Sequence, residues 1–380
     1  MSAPSPEKYM FFYLRTGGGH LAPCRSVAAF LTDHYAGRIT SVLVDGLEDS
    51  IPYARLLVED GYRLTQTSVK WYFELIYALT KFPPIGWFNM SLANLHTRSY
   101  VWERIRAERP TKIIVAHFLL VVPVYQAVQE LGLDIPVVTL VTDPFTAPPI
   151  WFQRPEQRYI VFSDRLRDHC IARGIPESAI NVFPFIIDRK FSAPLPPERI
   201  AEVRSRLGFD PAKKLVLIMG GGDGIPHGTR ILKTLLSARL PVQVAIVCGK
   251  SKELYDAAMQ MKKRYPELIV FGFVDFVYDL LNASDIVVTK CGASTIMEIL
   301  LMKKVPVIID YIWEQELGNM QFVRDNRLGV FEKNIAKLPA IIGQLSSDPS
   351  IYQGFVDRIA AMNLRNGTEE VGEFIAQLGN

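Results

Sequence analysis

Short apolar runs alternate with longer amphipathic stretches along the whole chain. In the first half, the run Tyr9–Leu14 (YMFFYL) opens the pattern. Strands are predicted over 9–15, 39–44, 112–116 and 136–141, with a further short one near 158–162. Helices are predicted near 20–36, 53–80, 90–108 and 120–132. The second half repeats the alternation more cleanly. Its strands are predicted over 214–219, 242–247, 268–271, 285–289 and 305–310, and its helices near 228–237, 251–264, 276–283, 294–302 and 315–326. Strands rich in Val and Ile, separated by helices, form parallel sheets covered on both faces. The expected class is therefore α/β, with two Rossmann-like, doubly wound parallel-sheet domains. The proline-rich stretch 192–198 (SAPLPPE) is the linker candidate, dividing the chain into 1–190 and 191–365. A last helix near 366–378 has no strand after it, so 366–380 is a candidate for crossing back onto the other domain.

The chain has 380 residues, enough for two separate cores. Hydrophobic residues make up 49 %, which argues against disorder, and a formal charge of +3 is too mild to imply nucleic-acid binding. Cys24, Cys170, Cys248 and Cys291 form no CxxC pair and no metal-like cluster, and so read as reduced thiols in a cytoplasmic protein. The N-terminus MSAPSPEKYM lacks the pattern of a signal peptide. The longest apolar run, Phe118–Tyr125, is too short to span a bilayer.

Two glycine triplets, Gly17–Gly19 and Gly220–Gly222, each follow an apolar run and precede a helical stretch. Glycine permits close backbone approach, and a helix start presents unpaired N–H groups to an anion. The second triplet, Gly220, Gly221 and Gly222 followed by Asp223 and Gly224, fits a diphosphate site or a tight turn without ligand. It is neither a Walker A loop nor a GxGxxG fingerprint. Two further blocks lie at the C-terminal ends of strands, where open parallel sheets bind ligands. In TKCGASTIME (289–298), Lys290 supplies a cation and Gly292 permits close approach. Ser294 or Thr295 can cap the next helix, and Glu298 lies one turn inside it, suited to a ribose diol or to ordinary capping. In WEQELGN (313–319), Gln315 and Glu316 suit sugar hydroxyls, or simply a solvated helix start whose acidic residues the dipole favours, and the block closes on Asn319.

In order, GGGDG, GFVD (272–275), ASD (283–285), TKCGASTIMEIL and QELGN resemble the donor domain of glycosyltransferase family 28. Within it, the nearest resemblance is to monogalactosyldiacylglycerol synthases and bacterial diacylglycerol glucosyltransferases. That resemblance implies a GT-B fold, two Rossmann-like domains facing across a cleft. It also implies that Phe273 contacts the base through its backbone and that Glu298 binds ribose. Gly222, Ser294 and Thr295 would line the diphosphate, and Gln315 and Glu316 would bind the sugar. UDP-sugar would be a substrate, with no cofactor and no metal. Helix ends and Lys290 would neutralise the diphosphate.

The first triplet has the same lipid-family look: Gly18 and Gly19 lead into His20. An inverting transfer needs a base near the acceptor hydroxyl. His20 at a helix N-terminus is expected to stay neutral, because the positive dipole end disfavours imidazolium, and so to serve as the base; the alternative is a histidine that merely hydrogen-bonds a loop. His117 and Asp143, each just past a strand, resemble the family's acceptor side. The chain departs from the family pattern at Pro148–Phe152 and Phe183–Ile187. A rival reading takes Gly17-x-Gly19-x-x-Ala22 as a dinucleotide fingerprint with Asp45 as the ribose acid, giving a nicotinamide or flavin oxidoreductase. It leaves the second half's motifs unexplained. The same fold acting on a polyprenyl or natural-product acceptor, and a non-catalytic sugar-nucleotide-binding protein, are further alternatives.

A lipid acceptor requires membrane contact. The stretch 71–88 (WYFELIYALTKFPPIGWF) holds seven aromatics in a cationic neighbourhood that includes Arg98, Arg104 and Arg106. Such a segment suits an anionic membrane surface, and the same aromatics also fit a buried helical face. The interacting segment is placed near 62–109, with Phe82, Trp87 and Phe88 at its tip. The expected location is peripheral, on the inner face of the membrane, with UDP-hexose and a lipid as partners.

Overall fold

The computed structural model describes residues 6–15, 18–48, 97–154 and 157–379. The chain forms two compact units, one of Met1–Asp188, Trp313–Gln315 and Asn366–Asn380, the other of Arg189–Ile312 and Glu316–Arg365.

The first unit is built on a six-stranded, wholly parallel sheet. Its strands are β1 (Glu7–Tyr13), β2 (Ile39–Asp45), β3 (Lys112–Val115), β4 (Val137–Leu140), β5 (Arg158–Val161) and β6 (Ile180–Val182), in the order β2-β1-β3-β4-β5-β6. Helices α1 (Gly18–His34), α2 (97–108), α3 (Phe118–Glu130) and α4 (Asp164–Ile171) run between strands. Chain order reverses at β1, which pairs with β2 on one side and β3 on the other. A crevice forms at such a switch point, at the carboxyl ends of the two strands. Strand β1 is apolar because both its faces are covered: Met10 and Phe12 join a core with Val115, Leu120 and Trp151.

The second unit repeats the plan after α5 (Pro197–Arg206). Its strands are β7 (Lys214–Met219), β8 (Val242–Val247), β9 (Ile269–Phe271), β10 (Ile286–Lys290), β11 (Val305–Asp310) and β12 (Val330–Phe331), in the order β12-β11-β10-β7-β8-β9, again all parallel. The intervening helices are α6 (Gly228–Ser237), α7 (Lys252–Lys262), α8 (Val277–Ala283), α9 (Ala293–Leu301) and α10 (Trp313–Asp325, its first three residues falling in the first unit), followed by α11 (Leu338–Ser347) and α12 (Pro349–Ala361). Here the switch point lies between β7 and β10. The loops that leave those two strands are Gly220–Gly224 and Cys291–Gly292, two of the segments singled out by sequence.

Helix α13 (Thr368–Gln377) packs against α1 in the first unit. Gly372 allows the approach, since a Cβ there would lie 2.3 Å from a Phe30 ring carbon. The buried Lys112 ammonium ties down the helix's last turn. It donates to the carbonyls of Ile375 (3.1 Å) and Ala376 (2.8 Å), and to the Tyr9 hydroxyl (3.0 Å).

Several boundaries differ from the sequence expectation. The stretch read as a linker contains the start of α5. A proline at the first helical position loses no hydrogen bond, so PPE opens a helix as readily as it marks a link. Strands β6 and β12 are three and two residues long, too short to leave a pattern. The helix expected near 53–80 lies outside the described residues, and the one near 90–108 is helical over its described part, 97–108. All four cysteines are free and buried. Burial pushes the Cys248 thiol up to about 11 and Cys170 up to about 12, and raises Cys24 and Cys291 further still.

Candidate functional site

At the switch point of the first sheet, α1 opens with Gly18 and exposed Gly19, and its third residue, His20, turns inward and is buried. His20 Nδ1 lies 2.9 Å from the Ala116 carbonyl oxygen and 2.8 Å from Thr142 Oγ1. A carbonyl can only accept, so the hydrogen-bond network assigns the ring proton to Nδ1 and the lone pair to Nε2. Burial lowers the imidazole pKa to about 4. The sequence reading attributed neutrality to the helix dipole. The structure supplies a larger cause, desolvation.

His117 caps α3, its Nδ1 accepting from the Leu119 amide at 3.2 Å. Its ring centroid lies 4.5 Å from that of His20. Burial, and then the His20 neighbour, push its pKa well below the ordinary value. Phe118 stacks on His117 and meets Trp151 edge-on. Buried Asp143 accepts from Trp151 Nε1 at 2.9 Å. The sheet's carboxyl edge thus gathers His20, His117 and Asp143, as the sequence suggested, and adds Ala116, Thr142 and Trp151. Asp45 is turned to other uses: it accepts from the Leu47 amide at 3.1 Å and pairs with Arg15 at 2.9 Å. Those contacts brace the turn after β2.

In the second unit, the glycine loop is a self-braced turn. The Gly224 amide donates to the Gly221 carbonyl at 2.9 Å, and the Lys250 amide to the Gly222 carbonyl at 2.8 Å. Gly224 (φ +88°) and Gly249 (φ +59°) are left-handed, and a Cβ on Gly249 would lie 2.4 Å from the Gly222 oxygen. A Cβ on Gly220 would meet the Gly224 oxygen at 2.2 Å. Gly222, by contrast, borders open space. The helix after this loop starts only at Gly228, behind His227 in the left-handed region. The triplet therefore does not sit on a helix N-terminus, contrary to the sequence reading.

The loop after β10 does. Gly292 is the N-cap of α9, with no side-chain cap bond. Ser294 and Thr295 lie inside the first turn and do not cap, because the chain turns into the helix one residue earlier than expected. Ser294 Oγ is buried with no partner among the described residues. Glu298 is half-buried on the following turn.

Glu316 is buried at the start of α10. It accepts from the Ile312 amide at 2.7 Å and pairs with Lys290 at 3.3 Å. Lys290 also reaches the glycine loop, since a Cβ at Gly221 would lie 3.8 Å from its Cε. Asn319 donates to the Cys291 carbonyl at 3.0 Å, tying α10 to the β10–α9 turn, and its Oδ1 is buried without a partner. Gln315 is half-buried. Phe273 is 64 % exposed, with the Lys250 ammonium 5.6 Å from its ring centroid. Lys250 was not found from sequence. Its signal is the Cys248-Gly249 turn after β8, a strand end like the others.

Phe82, Trp87 and Phe88 lie outside the described residues. Of the nearby cations, Arg98 pairs with Glu130, Arg104 with Glu108, and Arg106 lies over Trp102. Among the described residues no helix is long and apolar enough to cross a membrane, and no group of three or more His, Cys, Asp or Glu could hold a metal.

Comparison with known proteins agrees with this division. The family model for monogalactosyldiacylglycerol (MGDG) synthase matches residues 20–186, and that for the glycosyltransferase family 28 C-terminal domain matches residues 215–324. A probable chloroplastic monogalactosyldiacylglycerol synthase of Nicotiana tabacum is 26 % identical over 89 % of this chain and 64 % of its own, so the chain spans just under two thirds of that relative. A processive diacylglycerol beta-glucosyltransferase of Bacillus pumilus is 24 % identical over 98 % of this chain and 95 % of its own. Among solved structures, Anabaena HepE in complex with UDP-glucose has a TM-score of 0.57 at 16 % identity, covering 97 % of this chain and 98 % of that one. The first unit is thus similar to the MGDG synthase family and the second to the glycosyltransferase family 28 C-terminal domain, on a GT-B fold with one parallel sheet in each unit.

Proposed function

We propose that this protein is an inverting glycosyltransferase that moves a hexose from a UDP-sugar to the free hydroxyl of diacylglycerol. The observation that carries the reading is the state of His20. Its Nδ1 is hydrogen-bonded and its ring is kept neutral, so Nε2 is the basic nitrogen. The acceptor hydroxyl gives its proton to Nε2. The resulting oxygen nucleophile forms a bond to the anomeric carbon on the face opposite the nucleotide. The bond to UDP breaks, and its electron pair leaves with the diphosphate. General base catalysis of this kind contributes typically about 10²–10⁴-fold.

The domain order supports a lipid acceptor for the first unit and a nucleotide-sugar donor for the second. Within the donor unit, the first-turn amides of α9, the unpartnered Ser294 hydroxyl and the open face of Gly222 suit a diphosphate. Lys290 adds positive charge beside them, so this reading requires no metal. Exposed Phe273 suits the base, Glu298 the ribose, and Gln315 and Glu316 the sugar. A diacylglycerol acceptor places the enzyme at a membrane surface, on the cytoplasmic side where UDP-sugars are met, with Phe82, Trp87 and Phe88 as the contact.

The test is direct. Purified protein is given radiolabelled UDP-galactose or UDP-glucose with vesicles of diacylglycerol in anionic phospholipid. Labelled glycolipid with one donor is expected. No product with either donor overturns the reading.

A further inference from the structure

The His20 base has no carboxylate contact among the described residues, and that shapes how it is held. An imidazole base needs a partner on its second nitrogen to fix its tautomer and ring orientation. Asp143 is next to Thr142 in sequence, yet one of its oxygens is given to Trp151 Nε1 at 2.9 Å. The two groups that reach His20 Nδ1 are uncharged: the Ala116 carbonyl at 2.9 Å and Thr142 Oγ1 at 2.8 Å.

We infer that Thr142 is a positioning residue for the base, its hydroxyl oxygen and the Ala116 carbonyl together clamping the Nδ1–H so that the Nε2 lone pair is fixed in direction. This rests on the transferase reading above. The carbonyl cannot donate, so Nδ1 carries the proton and Thr142 accepts a share of it. Ala116 follows β3 and Thr142 follows β4, adjacent strands in register (Ile113 opposite Val137, Val115 opposite Thr139), so the sheet itself sets the spacing of the two acceptors. Thr142 is buried and β-branched, which restricts its χ1 and keeps the hydroxyl in place. His117 Nδ1 is already occupied, accepting from the Leu119 amide at 3.2 Å, so that nitrogen does not compete for this proton. A neutral clamp orients the ring without the electrostatic pull toward imidazolium that a carboxylate would exert.

Thr142→Val keeps the shape and removes the acceptor, whereas Thr142→Ser keeps the acceptor. In the ¹⁵N spectrum of histidine-labelled full-length protein at neutral pH, wild-type His20 should show a protonated Nδ1 and an unprotonated Nε2. Thr142→Val should lower kcat about tenfold, the loss of one hydrogen bond, with KM for UDP-hexose changed less than about twofold. Its Nδ1 proton should stay, because the Ala116 carbonyl still accepts it, but the Nδ1 resonance should shift with the second acceptor gone. Thr142→Ser should recover both kcat and the wild-type resonance. A wild-type spectrum with the proton on Nε2 overturns the inference whatever the variants do. So does Thr142→Val with wild-type kcat and an unshifted Nδ1 resonance, or equal impairment of the Val and Ser variants. If the wild type transfers no sugar, the functional reading fails, and the spectra still decide the clamp.

Discussion

The glycine loop after β7 lends itself to a paired substitution in which structure and ligand binding separate. Gly249→Ala places a Cβ 2.4 Å from the Gly222 oxygen and 2.9 Å from the Gly224 nitrogen, at a residue with φ +59°. A left-handed non-glycine residue costs about 1–2 kcal/mol. Displacing Gly222 loses its 2.8 Å bond from the Lys250 amide, about 1 kcal/mol, and relief of the overlap adds about 1–3 kcal/mol. The total is about 3–6 kcal/mol, which at roughly 2–4 °C per kcal/mol lowers the melting temperature by roughly 6–24 °C. Gly222→Ala meets nothing within 4 Å, so its melting temperature should stay within about 2 °C of wild type. The same methyl stands where a diphosphate would approach, and UDP affinity measured by calorimetry should fall at least about tenfold, equivalent to about 1.4 kcal/mol. A Gly249→Ala protein that melts like wild type would refute the braced-turn account. A Gly222→Ala protein that binds UDP unchanged would refute the placement of the donor on that face.

Other consequences can be measured as directly. Because the His20 pKa drops from the ordinary 6.5 to about 4 on folding, the unfolded chain takes up the proton first, so the stability linked to it is complete above pH 6.5 and lost as pH falls toward 4. That loss is about 3 kcal/mol, and the gap between urea midpoints at pH 7 and pH 4.5 should shrink in His20→Asn; an unchanged gap contradicts the assignment. His20→Ala should cut turnover about 10²–10⁴-fold while UDP still binds, and full activity would exclude it as the base. Lys112→Met leaves the Ile375 and Ala376 carbonyls without their donor, so amide exchange across α13 should quicken about tenfold or more, and unaltered exchange would show that the contact does not restrain the helix. Glu298→Ala should weaken UDP binding about tenfold with little change in melting temperature; unchanged affinity would remove it from the ribose.

The strands of both sheets are legible in the sequence because buried parallel strands are continuous apolar runs, and Leu215–Met219 or Val305–Ile309 have no polar position to confuse them. Short edge strands such as Val330–Phe331 are not legible, since two residues carry no period. The stretch read as a linker runs into a helix at Pro197, because a proline dipeptide can open a helix as well as mark a link. For the site, the residue types at strand ends were visible, while their pairings were not. Nothing in the spacing says that Glu316 turns back to Ile312 and meets Lys290, that Arg15 occupies Asp45, or that a threonine 122 residues away holds His20. Those depend on which strands become neighbours. The helix after the second glycine triplet starts at Gly228, as the pattern predicted, but the pattern does not show that the intervening residues brace the glycine loop as a turn of its own.

The sealed thiols have a practical consequence. Every cysteine of the chain is buried, and each thiol is shifted away from thiolate at neutral pH, so maleimide reagents should leave the native protein unlabelled. The wild-type sequence is therefore already a background for site-selective spectroscopy. A single cysteine at exposed Val182 in the first unit and another at exposed Met259 in the second would carry a donor and an acceptor dye. Energy transfer between them would follow the separation of the two units as UDP, sugar nucleotide and lipid are added in turn, with no native thiol to remove first.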